Sequence, residues 1–268
     1  MNKINLLLLV ILSGLFAACG SEKKSPDANA ENLANGGILT LAPLEGSPLY
    51  ETANLSLISS ELTDDARVMF NFEVQNYELG VQTPPLPGNA LANSGHGQHV
   101  HLIVDNNPYS AHYETSFSTD TLKEGNHVIL AFLSRSYHES IKNRGTGAVS
   151  YYLDQFQVGA PSDAKPDLSA AHMFYSRPKG AYKGEEIKNV LLDFFLVNVS
   201  LSPDGFKVRA TINDQEFMLT EWAPYLIQGL KPGEATIRLE LLDADGNLVP
   251  SPYNPVERTI TLEADAAQ

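Results

Sequence analysis

The sequence predicts an all-β protein of two tandem β-sandwich domains, and three observations carry that expectation. Beyond residue 36, short runs rich in Val, Ile, Leu, Phe and Tyr alternate with polar residues and are broken by Gly, Pro, Asn and Asp, with almost no 3.6-residue pattern. The 268 residues suit about two domains of roughly 100 residues each. The two halves also align with each other.

Residues 99–133 lie over residues 207–241 at a constant offset of 108, matching Val100/Val208, Leu122/Leu230, Lys123/Lys231, Gly125/Gly233, Ile129/Ile237 and Leu133/Leu241. Upstream, Val68/Val190, Phe72/Phe194, Asn76/Asn198 and Leu79/Leu201 match at an offset of 122. The change of offset gives the first repeat 14 extra residues between Leu79 and His99. A polar, Pro-containing stretch near residues 159–166 separates the halves. The expected organisation is a signal peptide at 1–18 and a lipidated Cys with its tether at 19–36. A first sandwich follows at 37–159, then a linker at 160–169, a second sandwich at 170–263 and a tail at 264–268.

The N-terminus supplies the cellular address. Lys3 precedes the apolar run LLLLVILSGLF, with no acidic residue before Cys19, which reads as a secretory signal too short for a stable membrane span. Phe16-Ala17-Ala18-Cys19 resembles the lipobox of bacterial lipoproteins, although Phe16 stands where Leu is usual. The resemblance implies that Cys19 is acylated and becomes the mature N-terminus. Residues 20–36 lack apolar periodicity and read as a flexible tether. The expected location is the outer membrane, held through lipid alone, with the periplasmic or cell-surface face left open.

Composition excludes several classes of function. The formal charge of −14, without a stripe of Lys or Arg, argues against a nucleic-acid surface. A single Cys excludes an internal disulfide and any multi-cysteine metal site, which leaves metal ligation to His and carboxylates. No Gly-x-Ser-x-Gly, His-Glu-x-x-His or phosphate-cradling Gly loop is present, so no enzyme is expected. Asp243-Ala244-Asp245-Gly246-Asn247 begins like a calcium loop but lacks the following bidentate Glu, and reads as a hairpin turn.

Residues 230–239, LKPGEATIRL, resemble the turn and following strand of bacterial immunoglobulin-like and fibronectin-like domains, and the pattern recurs at 122–133. In the second repeat, Val208, Ala210 and Ile212, with Ala235, Ile237, Leu239 and Leu241, form the inward set, leaving Thr236, Arg238 and Glu240 in water. Transferred to the first repeat, the same register puts Val100, Leu102 and Val104 in the core. It turns His99, His101, Ile103, Val128, Leu130 and Phe132 outward. Such an apolar face should not stand bare in water. The insertion, the second domain or a partner must cover it, and we expect residues 84–98, or a partner, to lie across it.

Six of the seven His fall between His96 and His138, and none has a His counterpart in the second repeat. His99 aligns with Lys207, His101 with Arg209 and His138 with Gly246. Gly97-Gln98-His99-Val100-His101 with Asp105 resembles the copper-ligand strand of copper-zinc superoxide dismutases. That family's further ligands and disulfide are absent here, so no dismutase activity follows. His99 and His101, with His96 on the adjacent loop, could hold Cu or Zn through neutral imidazoles. The segment Ser134-Arg135-Ser136-Tyr137-His138 resembles the Ser-Arg-x-His motif of forkhead-associated phosphopeptide readers, with one residue too many between Arg and His. Its guanidinium and hydroxyls could grip an anion. LIVDNNPY (102–109), AFLSRSYHESIK (131–142) and FYSRPKG (174–180) together resemble a family of bacterial lipoproteins of unknown function that is sometimes labelled phosphopeptide-binding.

Three functional readings result. The first is a lipid-anchored, non-enzymatic binding or adaptor protein of the envelope with a protein or peptide partner, the first domain binding and the second a spacer or stalk. The second is copper or zinc binding at the His-x-His strand, and the third is anion or phosphopeptide recognition through Ser134, Arg135, Ser136 and His138. Replacing Cys19 with Ser should yield a protein that is not acylated and leaves the membrane fraction. Membrane partitioning equal to wild type would contradict the lipobox reading.

Overall fold

The computed structural model describes residues 38–88, 90–143, 147–161 and 165–264. The signal, Cys19 and the tether lie outside the described residues, as do part of the linker and of the tail. The strands in chain order are β1 (Thr40–Pro43), β2 (Asn54–Leu62), β3 (Val68–Gln75), β4 (His99–Val104), β5 (Ser110–His112), β6 (Ser116–Ser118), β7 (Gly125–Ser134) and β8 (Tyr151–Val158). They continue with β9 (His172–Arg177), β10 (Ala181–Lys183), β11 (Val190–Val197), β12 (Lys207–Ile212), β13 (Gln215–Leu219), β14 (Tyr225–Gln228), β15 (Gly233–Leu242) and β16 (Val256–Glu263). Among the described residues no helix is long and apolar enough to cross a membrane.

Four sheets build two sandwiches of immunoglobulin/fibronectin-like type. The first pairs a three-stranded sheet, β2-β3-β6, with a four-stranded sheet, β5-β4-β7-β8; the second pairs β1-β14-β11-β9 with β10-β16-β15-β12-β13. The internal repeat is visible in three pairs of strands. β4 and β12, like β7 and β15, start and stop 108 residues apart, and β3 and β11 lie 122 apart. Turn chemistry repeats as well: Asp105 and Asn213 both take positive φ, and the side chain of each accepts a hydrogen bond from the opposite strand, from the amides of Val128 and Thr236.

Alternation divides each strand between two environments. Val100, Leu102, Ile129, Ala131 and Leu133 join Phe70, Phe72 and Phe117 in the first core. The opposite faces of β4 and β7 carry Ile103, Val128, Leu130 and Phe132, which pack on Tyr109 and on Phe174, Phe195 and Val197 of the second sandwich. On β11, Val190, Leu192, Phe194 and Leu196 turn the other way, into the second core. β7 and β11 are therefore covered on both faces, which explains their nearly continuous apolar runs.

This packing corrects the expectation that residues 84–98, or a partner, cover the outward face of the first sandwich. The register stands, but the cover is the second sandwich, so Ile103, Val128, Leu130 and Phe132 are buried inside the protein and offer no surface to a partner. The insertion goes elsewhere. Gly80 and Val81 bond Gln98 at its base, and Leu86 packs with Leu44, Tyr137, Leu191 and Leu226. Glu240, expected in water, is covered by Arg209 and Arg238 at 2.6 and 2.9 Å.

Polar contacts fix how the two sandwiches meet. Asn106 accepts a hydrogen bond from the Tyr175 amide (2.7 Å) and donates to the Met173 and Tyr253 carbonyls, docking on β9 as another strand would. Asp193, fully buried beside a β-bulge, accepts from Ser140 and pairs with Lys142. The expected boundary at residue 37 also shifts: β1 pairs antiparallel with β14, so the first strand of the described chain belongs to the second sandwich.

The Phe132 and Phe195 rings stack at 4.8 Å across the junction. Phe132→Ala and Phe195→Ala should each cost about 3–5 kcal/mol of unfolding free energy. The double variant should cost less than the sum, by about 0.5–1.5 kcal/mol. Strict additivity in urea denaturation would contradict the contact.

Candidate metal centre

The site is built from one strand of the first sandwich and one turn. Since Val100 and Leu102 face the first core, His99 and His101 must face the second sandwich, and both are fully buried there. The third imidazole arrives from the turn after β7, which is closed by a bridge between Ser134 and Ser140. The corresponding turn of the second repeat is closed by Leu242 and Leu248, and Gly246 stands at the position of His138. Both residues are left-handed, with φ of 70° for His138 and 84° for Gly246. A glycine holds that conformation freely, whereas a side chain there costs on the order of 1–3 kcal/mol. The fold alone does not call for an imidazole at this position.

The ring nitrogens converge. His99 Nε2 lies 2.8 Å from His101 Nε2 and 3.1 Å from His138 Nδ1, and the three ligating atoms all fall within 4.8 Å of one another. Two nitrogens on a tetrahedral ion with bonds of about 2.0–2.1 Å stand about 3.3 Å apart, so an ion would need the two separations from His99 to open by a few tenths of an ångström and the remaining one, between His101 and His138, to close from within 4.8 Å.

Surrounding groups orient the rings. His99 Nδ1–H donates to the Gly97 carbonyl (2.7 Å), which can only accept, so the lone pair of His99 is on Nε2 and faces the other two rings. Gly97 itself has φ +86°, and a Cβ there would fall 2.6–2.7 Å from the backbone of Gly80 and Val81. No other residue fits, and the insertion thereby sets the carbonyl that fixes His99. His101 Nδ1 lies 3.2 Å from the Ser176 hydroxyl on β9, so the second sandwich holds this ring. Tyr109 stacks on His101 at 3.5 Å, and its hydroxyl is 3.1 Å from His138 Nδ1.

Burial is the main cause that keeps the rings neutral. His99 is lowered to about 4, burial outweighing the Gly97 hydrogen bond, with the charges of Arg177 and Lys179 adding to the shift. His101 is lowered well below the ordinary 6.5 by burial, and then by His99, His138, Arg177 and Lys179. Burial, followed by Arg177, His99 and Lys179, also lowers His138.

Other expected site residues are placed differently. His96 is exposed, its ring 5.2 Å from Tyr113, and it is not among the converging ligands; His138 takes the place expected for it. The turn does not present an anion grip either. Ser134, Arg135 and Ser136 are buried, and the Arg135 guanidinium donates to Glu139 (2.9 Å) and to the Pro48 and Ser140 carbonyls. Ser136 is bonded to Thr83 through both its amide and its hydroxyl. Of that motif, His138 alone reaches the site. Ser176, Arg177, Lys179 and Tyr109 were not singled out by type or spacing. They do lie in the runs 174–180 and 102–109, which with 131–142 converge on this one place.

No family model matches the chain, and no curated protein does. Solved structures with a likeness to it include fibronectin(III)-like modules of Clostridium thermocellum CbhA, 13% identical over 35% of this chain and 98% of that one, with a TM-score of 0.27. The central fibronectin-III array of RIM-binding protein is 11% identical, covering 83% of this chain and 72% of its own, TM-score 0.27. Dimeric latent PorU from Porphyromonas gingivalis is 14% identical, with 80% of this chain against 20% of that one, TM-score 0.23. Superpositions this loose carry no argument, and the fold assignment rests on the sheet order above.

His112, stacked on Phe117 at 4.0 Å, is also lowered to about 4, chiefly by burial. Between about 4 and the ordinary 6.5, His99 and His112 bind fewer protons folded than unfolded, so they stabilise the fold above that window and the stability is lost as pH falls through it. Metal-free protein should therefore weaken towards urea from pH 6.5 to 4. A His99→Asn, His112→Asn variant should show a shallower dependence; identical slopes would contradict the assignment.

Proposed function

We propose that this chain is an extracytoplasmic, lipid-anchored binding protein, not an enzyme, whose first sandwich holds a copper or zinc ion through His99, His101 and His138. The observation that carries the reading is the convergence of three imidazole nitrogens at positions where the second repeat has Lys207, Arg209 and Gly246. Neutral imidazole suits both metals, and three nitrogens nearly complete a site.

The chemistry around the rings favours holding an ion over catalysis on it. His99 and His101 are fully buried, and aromatic rings close the neighbourhood: Tyr109 on His101, Phe132 at its edge and Tyr113 beside His99. An ion there is well shielded from a substrate. The lipid on Cys19 would keep the protein at the outer membrane, where an envelope protein or peptide would be its partner. The groove between the sandwiches, about 430 Å³ and lined in part by Asn143, Val149, Tyr151 and Asn198, offers such a partner a seat.

Metal analysis of the purified mature protein tests the reading. One equivalent of Cu or Zn per chain is expected, and His99→Ala, His101→Ala should abolish it. Stoichiometric metal that survives the double change would overturn the site, as would failure to take up either ion on addition.

A further inference from the structure

We infer that the three-histidine centre selects monovalent copper, Cu(I), over divalent zinc or copper, because the ion must sit near the Arg177 and Lys179 cations with no carboxylate among its ligands. The inference deepens the proposed function and rests on its reading that these histidines hold a metal.

The donor set comes first. Among the described residues, the ligand atoms that converge here belong to His99, His101 and His138, and no Asp or Glu joins them. A further oxygen donor, the Tyr109 hydroxyl, lies 3.1 Å from His138 Nδ1. Every one of these donors is neutral in its ordinary state, so the full charge of a bound ion stays in the pocket.

The two cations are Arg177, the last residue of β9, and Lys179 just after it. Lys179 Nζ lies 3.8 Å from the centre of the Tyr109 ring, whose other neighbour, His101, stacks at 3.5 Å. The Arg177 guanidinium is 5.4 Å from the same ring centre. Neither makes an ion pair among the described residues. Lys179 donates to the Tyr109 carbonyl (2.6 Å) and Arg177 to the Tyr182 hydroxyl (3.1 Å), while Arg177 Nε is buried without a partner. The fields of Arg177 and Lys179 reach all three imidazoles.

Charge then favours the monovalent ion. Repulsion from each cation scales with ionic charge, and in a partly buried site it is little screened, so a divalent ion meets twice the penalty of a monovalent one. The cost of desolvating the ion also rises steeply with its charge. Cu(I) accepts three nitrogens without water or a charged fourth ligand, which is the set the protein provides. Zn(II) prefers four ligands and would have to recruit an anion into an aromatic pocket.

The test titrates metal-free mature protein with Cu(I) under anaerobic conditions and separately with Zn(II), each against a chromogenic chelator of known affinity. Cu(I) should bind at one per chain and outcompete Zn(II). Lys179→Glu should shift the Zn(II)-to-Cu(I) affinity ratio towards zinc by about tenfold or more, and Lys179→Met by a smaller factor in the same direction. Circular dichroism identifies any variant that has not folded, and the wild-type titration stands without the variants. Zinc bound more tightly than Cu(I) would overturn the inference and leave the metal centre in place. Failure of both ions to bind would overturn the metal centre itself.

Discussion

The apolar layer between the sandwiches is the interaction on which the rest depends. Val128, Leu130 and Phe132 on β7 meet Phe174, Phe195 and Val197 across it, and each fully buried large side chain is worth about 1.5–3 kcal/mol. Without that layer two strands would expose apolar faces, and the imidazoles of His99 and His101 would stand in water. With it, Ser176 reaches His101, Arg177 and Lys179 come up beside Tyr109, and the rings lose their hydration. The sandwich expected to act as a mere spacer also lines the candidate site.

The repeat shows what was added to a common framework. The β7–β8 turn and the Asp243 turn share a backbone, down to hydrogen bonds from Arg135 and Asp243 amides to the Glu139 and Asn247 carbonyls. On that shared backbone one copy has Gly246, and the other has an imidazole directed at two more. On β4 and β12, likewise, the same alternation places Lys207 and Arg209 in one copy and His99 and His101 in the other. Differences between twins at identical backbone positions point to chemistry more directly than any single copy does.

Much of this was legible. The alternation of residues 99–104 and 125–134 against their twins placed the strands, their inward faces and the outward direction of His99 and His101, because side-chain period is set by the backbone and survives substitution. What escaped was anything that depends on a remote surface. The run VLLDFFLV in β11 has no polar face, a local sign of a strand covered on both sides, and it could have named the second sandwich as the cover. His96 is near His99 in sequence yet exposed, whereas His138 is 39 residues away and in contact. Four residues, Thr40–Pro43, carry too little pattern to reveal which sheet they will join.

That small strand has a consequence for how the protein is made. β1 is the first described strand to emerge during synthesis, yet its partner Gln228 follows Thr40 by about 190 residues. Until β14 arrives, Thr40–Pro43 has no ladder to enter, and the first sandwich must form while the chain preceding it waits. When the second sandwich condenses, it must capture a segment that lies on the far side of an already folded neighbour in sequence. Loop closure over that span is entropically costly and slow, so the edge of β14 stays open to other strands until Thr40–Pro43 is captured.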